Sequence, residues 1–284
     1  MIYCVFLEPE SFKLAATGDE IHRDHLIGVL RCLLENCLLA ETKSWRIGAE
    51  LKAAVQSAED NDTKTKLGAL LETFSKRDRF VEAVDDEDFE WDAKISRIAA
   101  SQKDNQLLDL IIAETGEEHS GSVETSTITR FNQSNFSQTR QRNFSKGVTL
   151  EPGDCNHKDL FKKCFGRMLM ACKEFTLVDY KIGESFGQNY YENLPYWIDF
   201  LKSCNRPVTL RLITTKGSNS IIKSIQNRLD DLTAGSTVST NIETWAEVPH
   251  ERFFRSAAFS LNIGRGIDLC MSNGMNRDIS VRVS

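Results

Sequence analysis

The stretch Val248–Leu269, "VPHERFFRSAAFSLNIGRGIDL", sets a histidine two residues before an arginine, follows them with an apolar run, and ends on a Gly-Arg-Gly turn and an acid. The run reads as a strand near 252–262. A histidine, a fork-shaped cation and a glycine turn in this order are the parts a phosphate site needs. They are equally the parts of a strand start fixed by hydrogen bonds and an ion pair. His250 and Arg252 are therefore the first candidate residues, with Arg265 and Asp268 in and just after the turn.

The elements before this stretch set its context. A helix is expected over 157–173, a strand over "FTLVDY" (175–180), and a helix over 188–204, which Pro195 kinks or divides. Strand "VTLRLIT" (208–214) and helix 218–232 come next, with strands near 237–245, 252–262 and 279–283. A βαβαβ run followed by strands implies a mixed sheet flanked by helices. Asp179, Tyr180 and Lys181 fall at the carboxyl end of a strand, where open α/β sheets place ligand residues. A strand-end acid capping its loop would look the same.

The first part of the chain reads differently. A strand from Ile2 to Leu7 precedes "GDEIHRDHLIGVLRCLLENCLLAE", in which Ile21, Leu26, Val29, Leu30, Leu33 and Leu34 recur at helical spacing behind Asp19 as N-cap. Amphipathic helices are expected around 45–57, 62–77 and 88–102, and "LLDLIIAE" (107–114) reads as a buried strand. The fold class is thus α/β in two domains: a helix-rich acidic domain over 1–114 and a mixed-sheet domain over 157–284. Between them, 115–127 reads as a polar linker and 128–156 as an extended lead-in. In that segment Phe131, Phe136 and Phe144 interleave with Arg130, Arg140, Arg142 and Lys146. The pattern suits either stacking on a single nucleic-acid strand or pinning an extended arm to the domain.

Composition bounds the rest. The 284 residues are 40% hydrophobic and 27% charged, as in globular proteins. No apolar run approaches a membrane span, and "MIYCVFLEPESF" lacks the basic start of a signal peptide. Eight scattered cysteines without a CxxC pair suit the reduced, buried thiols of a cytoplasmic protein. Cys155 and His157 are two potential zinc ligands, which is too few for a site. The net charge of −6 hides an asymmetry, since residues 1–120 hold 14 Lys and Arg against 25 Asp and Glu, and the remainder 21 against 16. Only the second part suits phosphates.

"LVDYKIG" (177–183), "VTLRLIT", "PHERF" (249–253) and "IGRGIDL" (263–269) together resemble the phospholipase D-like domain found after MIT modules in ESCRT-associated proteins and in bacterial proteins. "NQSNFSQTRQRNFSKGVTL" (132–150) looks like the lead-in of the bacterial members, so the resemblance covers about 130–284. It implies a metal-independent phosphodiester site. There a histidine attacks phosphorus, a lysine two residues later neutralises the phosphate, and a second histidine protonates the leaving oxygen. His250 holds the nucleophile position, Arg252 replaces the lysine, and the motif's acid position falls on Ala257. Arg252, Arg265, Tyr180 and Lys181 would bind the anion, with Asp179 and Asp268 supporting. A single motif needs a second histidine from a partner chain, hence a homodimer. "HKD" at His157–Asp159 is a decoy, because adjacent residues point apart, and it reads as a helix start.

The acidic domain is similar in topology to PIN-like metal-dependent nucleases, whose Mg²⁺ or Mn²⁺ would have to be gathered by Glu8, Glu41, Asp109 and Glu114. The resemblances imply a phosphodiester-directed effector, nuclease-like or phospholipase-like, of a bacterial conflict or phage-defence system. The alternative is a non-catalytic module recognising an anionic lipid, a nucleic acid or a partner protein through the same domain.

Overall fold

The structure, a computed structural model, describes residues 2–42, 46–84, 107–114, 123–150, 157–264, 266–267, 270–271, 274–275 and 279–283. The chain divides into two compact units, Ile2–Ser145 and Lys146–Ser284, and each is α/β.

The first unit is built on an all-parallel sheet. Its elements are β1 (Tyr3–Leu7), α1 (Pro9–Thr17), α2 (Glu20–Asn36), β2 (Cys37–Thr42), α3 (Ile47–Ser57), α4 (Asn61–Lys76), β3 (Phe80–Val84), β4 (Leu110–Ile112), β5 (Glu124–Ser126) and α5 (Asn135–Lys146). The strand order is β3-β2-β1-β4-β5. Every residue of β1, β2 and β4 is buried, as helix-covered parallel strands require. Asp19 caps α2 as expected, accepting the His22 N–H at 3.0 Å. The expected helix ends earlier than the apolar pattern does. "CLLAET" continues the helical apolar spacing but forms β2, reached from α2 with no loop between them. The helix expected near 88–102 lies outside the described residues.

Residues 128–145, expected as an extended lead-in, instead form a short 3₁₀ turn and α5 within this unit. Glu124 caps α5 by accepting the N–H groups of Asn135 and Phe136, both at 2.8 Å. Phe131 and Phe136 are buried, and Phe136 meets Tyr3 edge-on at 5.3 Å. Arg140, only 3% exposed, donates to the Cys32 carbonyl (3.1 Å) and to Glu35 (2.7 Å) near the end of α2. Phe131 and Phe136 are thus core, and Phe144 alone of the three is exposed. The arm is pinned, as a helix.

The second unit comprises β6 (Val148–Leu150), α6 (His157–Ala171), β7 (Glu174–Val178), α7 (Tyr180–Glu184), α8 (Gln188–Lys202), β8 (Val208–Thr215), α9 (Asn219–Thr233), β9 (Val238–Trp245), β10 (Phe253–Arg255), β11 (Ser260–Ile263), a small β12–β13 hairpin (Cys270–Met271, Gly274–Met275) and β14 (Ile279–Val283). The main sheet runs β6-β14-β11-β10-β7-β8-β9, with β7, β8 and β9 parallel and the other pairings antiparallel. His157–Asp159 opens α6, and α8 runs through Pro195 as one helix. The expected strand 252–262 is a hairpin, β10 and β11 around a turn at 256–259.

One face of this sheet carries the core. Phe175 stacks on Phe254 at 5.3 Å, Phe165 meets Phe254 at 5.4 Å, and Phe161 stands perpendicular to Trp197 at 4.7 Å. Arg206 ends α6 by donating to the carbonyls of Leu169, Met170 and Cys172. Among the described residues no helix is long and apolar enough to cross a membrane. Cys4, Cys32, Cys37, Cys164, Cys172 and Cys204 are not in disulfides, and Cys155 lies outside the described residues.

Candidate functional site at the carboxyl end of β7

In the second unit β8 lies on one side of β7 and β10 on the other, so the sheet changes direction at β7. Open α/β sheets form crevices beyond the carboxyl ends of strands at such points. The chain leaves β7 through Asp179, which is fully buried and caps α7 by accepting the Lys181 N–H at 3.0 Å. Its other oxygen accepts the Ile267 N–H at 2.9 Å. Arg252, at the start of β10, completes the set with Nε donating to Asp179 Oδ1 at 3.3 Å and Nη1 to the Gly264 carbonyl at 3.1 Å. Burial pushes the Asp179 carboxyl up from its ordinary value, while the Ile267 N–H, the guanidinium and the Lys181 N–H pull the other way.

The glycine turn closes over this pair. Gly266 has φ of +68°, and a methyl there would collide with the Asp179 carboxylate and with Cδ of Arg252. Trp197 Nε1 holds the Ile267 carbonyl at 3.3 Å, so the core fixes the turn from below. On the other side, the Thr214 and Thr215 hydroxyls donate to the Tyr180 carbonyl at 3.2 and 2.8 Å. Gly183 and Gly217 touch main chain to main chain, leaving no room for a Cβ on Gly217.

Tyr180 links the candidate residues. Its ring lies 4.6 Å from the His250 imidazole at 66° and 5.2 Å from the Arg252 guanidinium carbon. His250 is exposed. Val248, just before it, packs on Val178, Ile213 and Phe253, which draws the 246–250 loop over the strand ends. Lys181 is half-exposed and pairs with Glu184 at 3.6 Å.

The structure thus brings together Asp179, Tyr180, His250 and Arg252, with Lys181 on the rim. Arg265 and Asp268, the pair expected to fix the turn, lie outside the described residues. Among the described residues Asp179 pairs with Arg252. Ala257, the motif's acid position, sits in the β10–β11 turn. Arg255 pairs with Thr176 and Phe253 with Val178, so that turn lies toward the amino end of β7, away from His250. The acid that holds Arg252 comes from β7. Thr214, Gly183, Gly217 and Trp197 were not singled out from the sequence. Only the glycines after two strands could have signalled their part.

The four acids of the first unit do not converge. Its sheet changes direction between β1 and β4, and Glu8 and Glu114 follow these two strands. Glu8 accepts the Ser11 hydroxyl and the Glu114 N–H (3.3 Å), an arrangement that ties the two strand ends together. Glu41 ends β2, where it accepts the Gly48 N–H at 2.7 Å and lies 3.7 Å from Arg46. Asp109 is at the opposite edge, accepting the Cys4 N–H at 2.7 Å, roughly 13 Å from Glu8 along the strand. As a four-carboxylate Mg²⁺ or Mn²⁺ site the set does not fit, because Asp109 faces the wrong end of the sheet.

No protein-family model matches this chain, and no curated protein matches it at a significant level.

Proposed function

We propose that the second unit is phosphodiester-directed and recognises a phosphate-bearing ligand at the carboxyl end of β7, through Arg252, His250 and Tyr180. One observation carries the reading: Arg252 is held by the buried Asp179 and the Gly264 carbonyl, with an exposed histidine beside it across the Tyr180 ring. A guanidinium anchored on two sides is pre-organised, and an anion meeting it costs little side-chain entropy. His250 supplies a second N–H donor.

Recognition is favoured over turnover. Hydrolysis by the phospholipase D route needs one histidine as nucleophile and another as acid, and among the described residues His250 is the one at this site. Turnover would need a second chain to bring its own histidine. The effector role in bacterial conflict or phage defence belongs to the same proposal and is supported by the sequence resemblance alone.

Titration calorimetry with inorganic phosphate tests the site. Binding that weakens at least tenfold in Arg252→Lys and His250→Gln, and weakens with salt, supports it. Binding indifferent to both variants overturns it. Cleavage of labelled DNA or RNA that persists in EDTA and disappears in His250→Gln would instead establish turnover.

A further inference from the structure

The sheet of the second unit has a face that the core does not use. Residues paired across neighbouring strands share a face, which places Asn241, Arg211, Thr176, Arg255 and Ser260 in one row from β9 to β11. Arg282 of β14, paired with Asn262, extends the same face. The burial pattern of β8, alternating over Val208–Arg211, shows which side is covered. Val208 and Leu210 are buried, and Thr209 and Arg211 are exposed. Toward the carboxyl ends Val248 packs on the apolar Val178, Ile213 and Phe253, and the remainder of the face is polar apart from Trp245. Parallel strands such as β7, β8 and β9 are ordinarily covered on both sides. Here one side of them meets solvent.

Three features of that side favour a nucleic-acid strand. The arginines are spread across it: Arg211 and Arg255 stand two strands apart, about 10 Å, and Arg282 two strands further on. The Arg255 guanidinium carbon lies over the Phe253 ring at 4.0 Å, and Nε donates to Ser260 Oγ at 3.2 Å, which steadies the guanidinium. Trp245, 41% exposed, ends β9 on the same face. Flat cations and aromatic rings stack unpaired bases, and hydroxyl, amide and guanidinium groups meet phosphates and base edges. A protein partner would want a cluster of apolar anchors, and among the described residues this face exposes one large apolar side chain, Trp245. A duplex would keep its bases stacked and away from the two planes.

We infer that this open, arginine-bearing sheet face binds single-stranded nucleic acid by stacking on Arg255 and Trp245 and by pairing phosphates with Arg211, Arg255 and Arg282. Glu243 holds Arg211 at 3.5 Å in the free protein, and a phosphate takes its place on binding. The surface is distinct from the strand-end site and does not depend on it.

Fluorescence anisotropy of the full chain with a labelled single-stranded oligonucleotide, and with its duplex, tests this. Binding of the single strand is expected to exceed that of the duplex. The triple variant Arg211→Ser/Arg255→Ser/Arg282→Ser should weaken it at least tenfold and flatten the slope of log K against log[salt] by about 2. Trp245→Ala should weaken it several-fold, and Glu243→Gln should tighten it. Circular dichroism confirms that the variants fold, which these solvent-facing positions permit. No binding by the wild type, equal binding by the triple variant, a preference for duplex, or no tightening by Glu243→Gln overturns the inference. His250→Gln separates the two sites: it lowers inorganic-phosphate binding and leaves oligonucleotide binding unchanged.

Discussion

The two sheets solve one problem in opposite ways. In the first unit β1 reads "YCVFL", β4 reads "LII", and every residue of both is buried. In the second unit β8 reads "VTLRLITT" and β9 "VSTNIETW", with polar residues recurring on one face. Both sets of strands are parallel where they meet. The first is enclosed on both faces, and the second is enclosed on one. The difference shows that parallel pairing does not dictate coverage; the side-chain pattern does.

Substitutions along adjacent positions would break this contrast if it is wrong. Phe6→Ala and Leu7→Ala point to opposite faces of β1, and each should cost heavily, about 3–5 and 2–5 kcal/mol in urea unfolding. In β8, Leu212→Ala should cost about 2–5 kcal/mol. A mild effect from either residue of β1 would mean that one face of that sheet is loosely covered.

Next in size is Gly266→Ala. The positive φ and the collision with Asp179 and Arg252 should cost about 2 kcal/mol or more and remove phosphate binding in calorimetry. An unchanged variant would show that the turn does not close over the pair as described.

Asp179 sharpens the comparison through pH. Burial raises its carboxyl above the ordinary 3.8, so the folded unit holds that proton more tightly than the unfolded chain does. Its contribution to stability is full below 3.8 and is lost as pH rises through the folded value. Asp179→Asn should remove that decline from a plot of unfolding free energy against pH. Wild-type stability that climbs through the same window would mean that Arg252 and the two N–H donors outweigh burial. The smallest effect belongs to Arg211→Ala on the open face, within about 0.5 kcal/mol.

Much of this architecture could be read along the chain where period and length agreed. Helices α3, α4, α6, α8 and α9, and strands β7, β8, β9 and β14, lie within a few residues of their expected places. The failures share a cause. "CLLAET" carries apolar residues at a spacing that suits a helix as well as a strand, and only pairing with β1 decides between them. Residues 128–145 are too polar to announce a helix, yet Glu124 caps it and Arg140 anchors it from within the fold. At the site, His250, Arg252 and Tyr180 stood out as residue types. The partnership of Asp179 with Arg252 spans 73 positions, and no local pattern encodes it. The hairpin at 256–259 was hidden because the turn between β10 and β11, Ser-Ala-Ala-Phe, holds no glycine or proline.

The meeting of Gly183 and Gly217 constrains how this protein can diverge. The obstacle to a side chain on Gly217 is the Gly183 carbonyl, a piece of main chain present whatever residue occupies 183. No trimming of a neighbour can make room, so Gly217 has no permissive background in which to drift. The loops after β7 and β8 therefore behave as a single inherited part. A graft that exchanges one loop alone should fail, and a graft that carries both should succeed.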